Sequence, residues 1–266
     1  MTYGEGMTSF AALHHADAPL LLPNAWDHAS AAALAAQGFA AIGTTSLGVA
    51  AAAGLLDGAA ATREETLLLA RRLGGGPFLL SVDAEGGFSD DPAQVAELAR
   101  SLAAAGAVGI NLEDGRADGS LAPAALHAAK IAAVKEAAPE LFVNARTDTH
   151  WSGDGREAET TARLDAYQQA GADGVFVPGL SEPARITALL TGLDVPLNIL
   201  YTPAGPSLAQ LGDLGVRRVS LGSLLFRVAL GAAVAAALDV RAGRPVTASA
   251  AGYAETQALT QALTKS

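Results

Sequence analysis

The chain has no cysteine, which excludes disulfides, a thiolate nucleophile and cysteine-based zinc or iron–sulfur centres. Aromatic residues make up only 5% of the 266 positions and charged residues 17%. Basic residues number 17 against 27 acidic ones, a net charge of −10, which argues against nucleic-acid or anionic-membrane partners. No apolar run has the length of a membrane span, and the Ala-rich stretch 228–238 is too short to be one. The first residues, MTYGEGMTSF, lack a basic segment followed by an apolar one, so no signal peptide is expected and a cytoplasmic location is. Lysine is scarce as well. Lys130, Lys135 and Lys265 are the full set, and none falls at an expected strand end, which disfavours Schiff-base chemistry.

What is present is a hydrophobic half, rich in alanine, arranged in a rhythm. Apolar runs of strand length at Leu20–Asn24, Phe39–Thr45, Phe78–Asp83, Val108–Leu112, Leu141–Ala145, Gly174–Val177, Leu197–Tyr201 and Arg218–Leu221 alternate with helical stretches. Glycines such as Gly38, Gly106, Gly171 and Gly215 end the helices, where a left-handed cap is needed. Thr62 with Glu65 reads as a capping box, and the segment between Thr45 and Gly58 reads as a long loop. Eight alternating units with short connections point to a parallel (β/α)₈ TIM barrel in one domain, residues 1–266. The runner-up, a doubly wound open sheet, would want a Gly-x-Gly-x-x-Gly fingerprint after its first strand, and there is none. Residues 223–266 lie beyond the eight strands as a helical C-terminal region expected to cover a partner subunit.

In this architecture the chemistry sits at the C-terminal ends of the strands. Asp83-Ala84-Glu85-Gly86-Gly87 ends the third strand with two carboxylates on one face, followed by room for a ligand to approach. Glu113 ends the fourth, next to Asn111 and Asp114. Arg146 ends the fifth, between Asn144 and Asp148. Asp83, Glu85 and Glu113 are therefore candidate ligands for Mg²⁺, directly or through its waters, with Mn²⁺ the alternative ion. Such an ion would chelate a 2-oxo acid and stabilise an enolate, while Arg146 clamps the same anion. Backbone N–H groups of Thr45, Ser46 and Leu47 could cradle a second anionic group.

Each assignment has a plainer competitor. Asp83 and Glu85 could be solvated loop acids, and Arg146 could balance Asp148 or Glu113 structurally. Asn24 and Asn198 could bond loop backbone instead of ligand. Ser46 and Ser223 have no evident His/Asp partners, so a serine-hydrolase triad is disfavoured. Of the five histidines, His150 alone falls near the expected rim.

The segments Pro23-Asn24-Ala25-Trp26-Asp27, Thr44-Thr45-Ser46-Leu47-Gly48, Asp57-Gly58, Asp83-Ala84-Glu85-Gly86-Gly87-Phe88, Asn111-Leu112-Glu113-Asp114 and Asn144-Ala145-Arg146-Thr147-Asp148 resemble the isocitrate lyase/phosphoenolpyruvate mutase superfamily, in the same order. The resemblance implies a barrel whose last helix is exchanged between subunits of a homodimer or homotetramer. It implies Mg²⁺ at Asp83, Glu85 and Glu113, with Asp57 nearby. It implies substrate contacts from Trp26, Thr45, Ser46, Leu47, Asp83, Arg146 and Asn198, with Arg146, Asp57 and Glu113 as the catalytic candidates. The lyases of this superfamily carry a Lys-x-Cys-Gly-His segment where this chain reads Gly115-Arg116-Ala117-Asp118-Gly119-Ser120. The phosphonate-handling members carry a histidine at about the position of Pro178. The expectation is thus carbon–carbon cleavage, by retro-aldol or decarboxylation, of a small 2-oxo or 2-hydroxy dicarboxylate. A phosphonopyruvate-type enzyme and a non-catalytic metal- and keto-acid-binding barrel are the alternatives, and the 115–120 segment is a candidate lid.

Overall fold

A computed structural model describes residues 9–151, 157–260 and 263. Among them nine strands, all paired in parallel, form one sheet. In chain order the elements are α1 (Phe10–Leu13), β1 (Leu20–Leu22), β2 (Asn24–Ala25), α2 (His28–Ala36), β3 (Ala41–Thr44), α3 (Ser46–Ala53), α4 (Arg63–Leu73), β4 (Leu79–Asp83), α5 (Pro92–Ala104) and β5 (Ala107–Glu113). They continue with α6 (Ala124–Ala137), β6 (Phe142–Arg146), α7 (Glu157–Gln169), β7 (Gly174–Phe176), α8 (Pro183–Leu190), β8 (Leu197–Leu200), α9 (Leu208–Leu214), β9 (Arg218–Ser220), α10 (Leu224–Arg241) and α11 (Tyr253–Leu259).

The count of nine against an expected eight has one cause. Pro23 has no N–H to give a ladder and splits the first strand. Its front half, β1, pairs with β9, and its back half, β2, pairs with β3. The two halves are joined through one residue, so the sheet closes on itself as a barrel. Asn24 seals the seam: its Nδ2 donates to Thr44 O at 2.8 Å, while its Oδ1 accepts from the backbone of Leu221 and Gly222 at 3.0 and 2.8 Å. Asn24 thus bonds backbone, the plainer of its two readings.

The main apolar core fills the space between strands and helices, with Val82, Leu98, Leu102, Ile131, Val143 and Leu164 among its fully covered members. A second cluster of Phe10, Leu22, Ala41 and Phe142 plugs the end from which the strands start, beneath α1. The opposite end stays open.

Two local expectations need correction. The stretch after Thr45 is not all loop: Ser46–Ala53 is helical, closed by Gly54 at φ +72°. Its alanine run has the highest intrinsic helix propensity, and that outweighs the absence of a side-chain cap. Thr62 starts α4 without capping it. Its hydroxyl donates to the Glu85 carboxylate instead, a buried charge with the stronger claim on a donor.

Candidate active site

The open end holds a cleft of about 360 Å³ lined by side chains from the C-terminal ends of the strands. Thr45, Ser46, Leu47, Asp57, Asp83, Glu113 and Arg146 all line it, as the strand-end reading expects. Parallel register sets the spacing. Asp83 lies opposite Asn111, which lies opposite Asn144, and two residues further along Glu113 lies opposite Arg146.

Asp83 is held from two sides. Its backbone N–H donates to Thr44 Oγ1 at 2.8 Å, and its Oδ2 accepts from Ser46 N at 3.2 Å. The start of α3 therefore spends an N–H on Asp83, and Thr45 N–H is taken by Ala25 O at 3.1 Å. Of the three amides expected to cradle a ligand, that of Ser46 thus serves the protein's own carboxylate and that of Thr45 a strand carbonyl. Asp83 Oδ1 is buried without a hydrogen-bond partner among the described residues. Burial raises its pKa, with Arg146 and the Ser46 amide pulling the other way.

Arg146 occupies the centre. It donates to Asp148 in a bidentate pair, Nε to Oδ1 at 2.6 Å and Nη2 to Oδ2 at 2.9 Å, and its Nη1 lies 2.6 Å from Glu113 Oε2. Burial disfavours the cation, but Glu113 and Asp148 outweigh that and raise its pKa. The Arg146–Asp148 fork fixes the guanidinium, so an incoming carboxylate competes with Glu113, whose contact is single. For Glu113, burial and the nearby Asp83 and Asp148 charges raise the pKa well above the carboxylate range, against the pull of Arg146. One guanidinium serves two carboxylates here, Asp148 by two contacts and Glu113 by one.

Glu85 is placed differently from Asp83. It takes φ +47°, a conformation rare outside glycine, and its buried carboxylate turns toward the loop before α4, accepting from Ala60 N at 3.2 Å and from Thr62. It lines a neighbouring pocket with Lys130 and Asp90. Burial raises its pKa, with the Thr62 hydroxyl opposing. Among the described residues no three carboxylates or histidines stand together at metal-ligand spacing. The donor set still fits a hard cation that keeps most of its water: Asp83 offers a buried oxygen with no protein partner among the described residues, and Glu113 and Asp57 line the same cleft as acceptors for bound waters, with Glu85 in the neighbouring pocket.

Two expected ligand contacts sit elsewhere. Asn198 is 1% exposed, does not line the cleft, and accepts from Ser220 Oγ at 3.3 Å. Trp26 packs edge-on to Phe226 of α10 at 5.4 Å. Conversely, Trp151 and Phe176 flank Arg146 at 5.6 and 5.7 Å and line the cleft. Phe176 was findable as the last residue of a strand; Trp151 lies in a loop with no periodic signal. Lys130 Nζ donates to Gly86 O at 3.0 Å and to Asp90 at 3.2 Å, tying down the loop after β4. Lys135 is tied to Asp173, and Lys265 lies outside the described residues.

Residues 10–241 match the phosphoenolpyruvate phosphomutase family. The chain belongs to that family. It is 46% identical to an uncharacterised protein of Mycobacterium tuberculosis strain H37Rv over 253 residues, covering 94% of this chain and 95% of the relative. It is 32% identical to 2-methylisocitrate lyase of Bacillus subtilis strain 168 over 195 residues, covering 70% and 64%. A Burkholderia cenocepacia J2315 protein assigned as a lyase/mutase superposes with a TM-score of 0.86 at 35% identity, over 95% of this chain and 94% of that one. The family membership makes this chain an enzyme, a carbon–carbon lyase or mutase of the phosphoenolpyruvate mutase/isocitrate lyase superfamily.

Proposed function

We propose that the protein is a Mg²⁺-dependent lyase that cleaves a carbon–carbon bond of a small 2-oxo or 2-hydroxy dicarboxylate, by retro-aldol reaction or decarboxylation. The observation that carries this is that Asp83, whose buried Oδ1 has no partner among the described residues, lines the same cleft as the Arg146 guanidinium. Asp83 would hold the ion, with Glu113 and Asp57 beside it and Glu85 in the adjoining pocket, and the chemistry it would supply there is Lewis-acid stabilisation of negative charge developing on the substrate. Arg146 binds the substrate carboxylate in place of its Glu113 contact. Glu113, released from the ion pair beside the reacting centre, holds or passes the proton. Trp151 and Phe176 cover Arg146 and thin the water around it, which strengthens each charged contact.

A phosphonopyruvate-type reaction is the second reading, favoured by the family match itself. It would bring more negative charge into the cleft. Arg116, the other guanidinium lining it, is turned to Asp90 at 2.8 Å, which favours the carboxylate substrate.

The assembly we propose is a homodimer or homotetramer in which residues 223–266 pack on a partner subunit. Helix α10 has no buried residue along its 18 positions, and Val228, Leu230, Val234 and Val240 are all more than half exposed. No helix of the described residues is long and apolar enough to cross a membrane, so a lipid span does not account for that face. We place the enzyme in the cytoplasm.

A crystal grown with Mn²⁺ and pyruvate tests the site. The expected result is anomalous density beside Asp83 and a ligand carboxylate on Arg146. Metal density confined to the Glu85–Lys130 pocket, or a ligand bound away from Arg146, would overturn the assignment.

A further inference from the structure

Arg218 is a residue with no evident reason to be where it is. It begins β9 inside the barrel and is 1% exposed, although arginine is among the residues least often fully buried. Among the described residues its Nε and Nη1 have no hydrogen-bond partner, and the one bond it makes runs from Nη2 across the barrel to Asn111 Oδ1 at 3.0 Å. In the closed sheet β9 and β5 are separated by three strands, so the side chain spans the interior to make this contact. Desolvation lowers its pKa to about 9, opposed by the charge of Asp83 above it. A buried cation so poorly satisfied is costly to keep.

The contact has a geometric consequence at Asn111. Arginine can only donate, so the Asn111 atom facing it must be the amide oxygen, and the reversed amide orientation is excluded. The same oxygen accepts from Asn144 Nδ2 at 2.9 Å. With Oδ1 bonded twice, Nδ2 is left over, and no protein acceptor bonds it among the described residues. Asn111 lines the cleft, two residues before Glu113 on the same strand face and opposite Asp83 in register.

We propose that Asn111 is a substrate-binding residue whose side-chain N–H group donates to an anionic oxygen of the bound 2-oxo acid, and that Arg218 is the positioning residue that holds the amide in that orientation. This rests on the reading of the cleft as a 2-oxo acid site and deepens it. A neutral donor suits the floor of a site crowded with carboxylates: it strengthens as the ligand oxygen gains charge and leaves the acids' balance unchanged. Arg218, one residue further from the ligand, adds a positive potential from below, and Asn144 completes the clamp.

Oxalate, a planar dianion resembling the enolate of pyruvate, is the probe, titrated calorimetrically into the full chain with Mg²⁺ present. Asn111→Ala is expected to weaken oxalate about tenfold or more, as loss of a hydrogen bond to a charged group does. Arg218→Met is expected to weaken it comparably, and the double variant no further than the worse single, because both remove one donor. Arg218→Lys, which can still donate to Asn111 Oδ1, is expected to recover most of the affinity. A merely structural Arg218 would give additive losses that track the melting temperature. If Arg218→Met does not fold, Asn111→Ala decides alone. Wild-type affinity in Asn111→Ala, with binding lost in Arg146→Ala, overturns this inference and leaves the site reading standing. No oxalate binding by the wild type overturns both.

Discussion

Buried histidines show at the level of single residues how the fold constrains protonation. His127 of α6 is fully buried against Tyr167, with ring centroids 4.7 Å apart, and burial, then the nearby Lys130, lowers its pKa from 6.5 to about 3. His14, stacked on Phe142 at 4.3 Å, is lowered to about 3 by burial and Arg218. Above pH 6.5 folded and unfolded chains both hold these rings neutral, and they add no pH dependence. Below it the unfolded chain takes up protons that the folded one refuses, so stability falls as pH drops from 6.5 toward 3. Each ring costs about 2 kcal/mol by pH 5. Urea unfolding of wild type and His127→Gln at pH 7 and pH 5 checks this: the variant should lose about 2 kcal/mol less between the two pH values. Equal losses would show that the ring titrates as if solvated. The raised carboxylates, Asp83, Glu85 and Glu113, act with the opposite sign and favour the folded chain toward acid.

At the scale of elements, the loop that follows β5 is seated on the site by a glycine. A Cβ at Gly115 would collide with Asp148 Oδ2, the oxygen that accepts from Arg146. Asp148 is held from behind as well: its N–H donates to Asp114 Oδ1 at 2.9 Å, and Asp114 Oδ2 accepts from Tyr167 at 2.6 Å and Arg163 at 3.1 Å. Gly115→Ala therefore has no easy relaxation. We expect it to cost about 1–3 kcal/mol of stability and to cut turnover about tenfold or more by unseating Arg146. Thermal unfolding and steady-state rates measure both; a variant with wild-type turnover would mean that Asp148 does not orient the arginine. The strand ends were legible because polar residues break apolar runs at fixed points, as at Asp83, Glu113 and Arg146. Helix α3 was not, because an Ala/Gly-rich segment carries no amphipathic period to distinguish helix from loop. The turn of Glu85 toward Thr62 was not legible either, since it depends on a backbone angle that two alternating carboxylates do not announce.

For the whole molecule, closure of the barrel follows from Pro23 and Asn24, and the eightfold rhythm was readable before either role was. Arg218 lay outside that reading because its partner, Asn111, is 107 residues away and only closure brings them together. The exposed face of α10 sets the next expectation. Val234→Glu, at a position 53% exposed in the single chain, should convert an oligomer to smaller species in analytical ultracentrifugation. A monomeric wild type would leave that face unexplained. We propose metal-dependent carbon–carbon cleavage at Asp83 and Arg146. Its most direct test is turnover of a panel of 2-oxo and 2-hydroxy dicarboxylates by chelator-stripped protein, with and without added Mg²⁺, following release of carbonyl product or CO₂. We expect turnover that returns with Mg²⁺ and falls at least about a hundredfold in Asp83→Ala and in Arg146→Ala. Full turnover without metal, or in either variant, would contradict it.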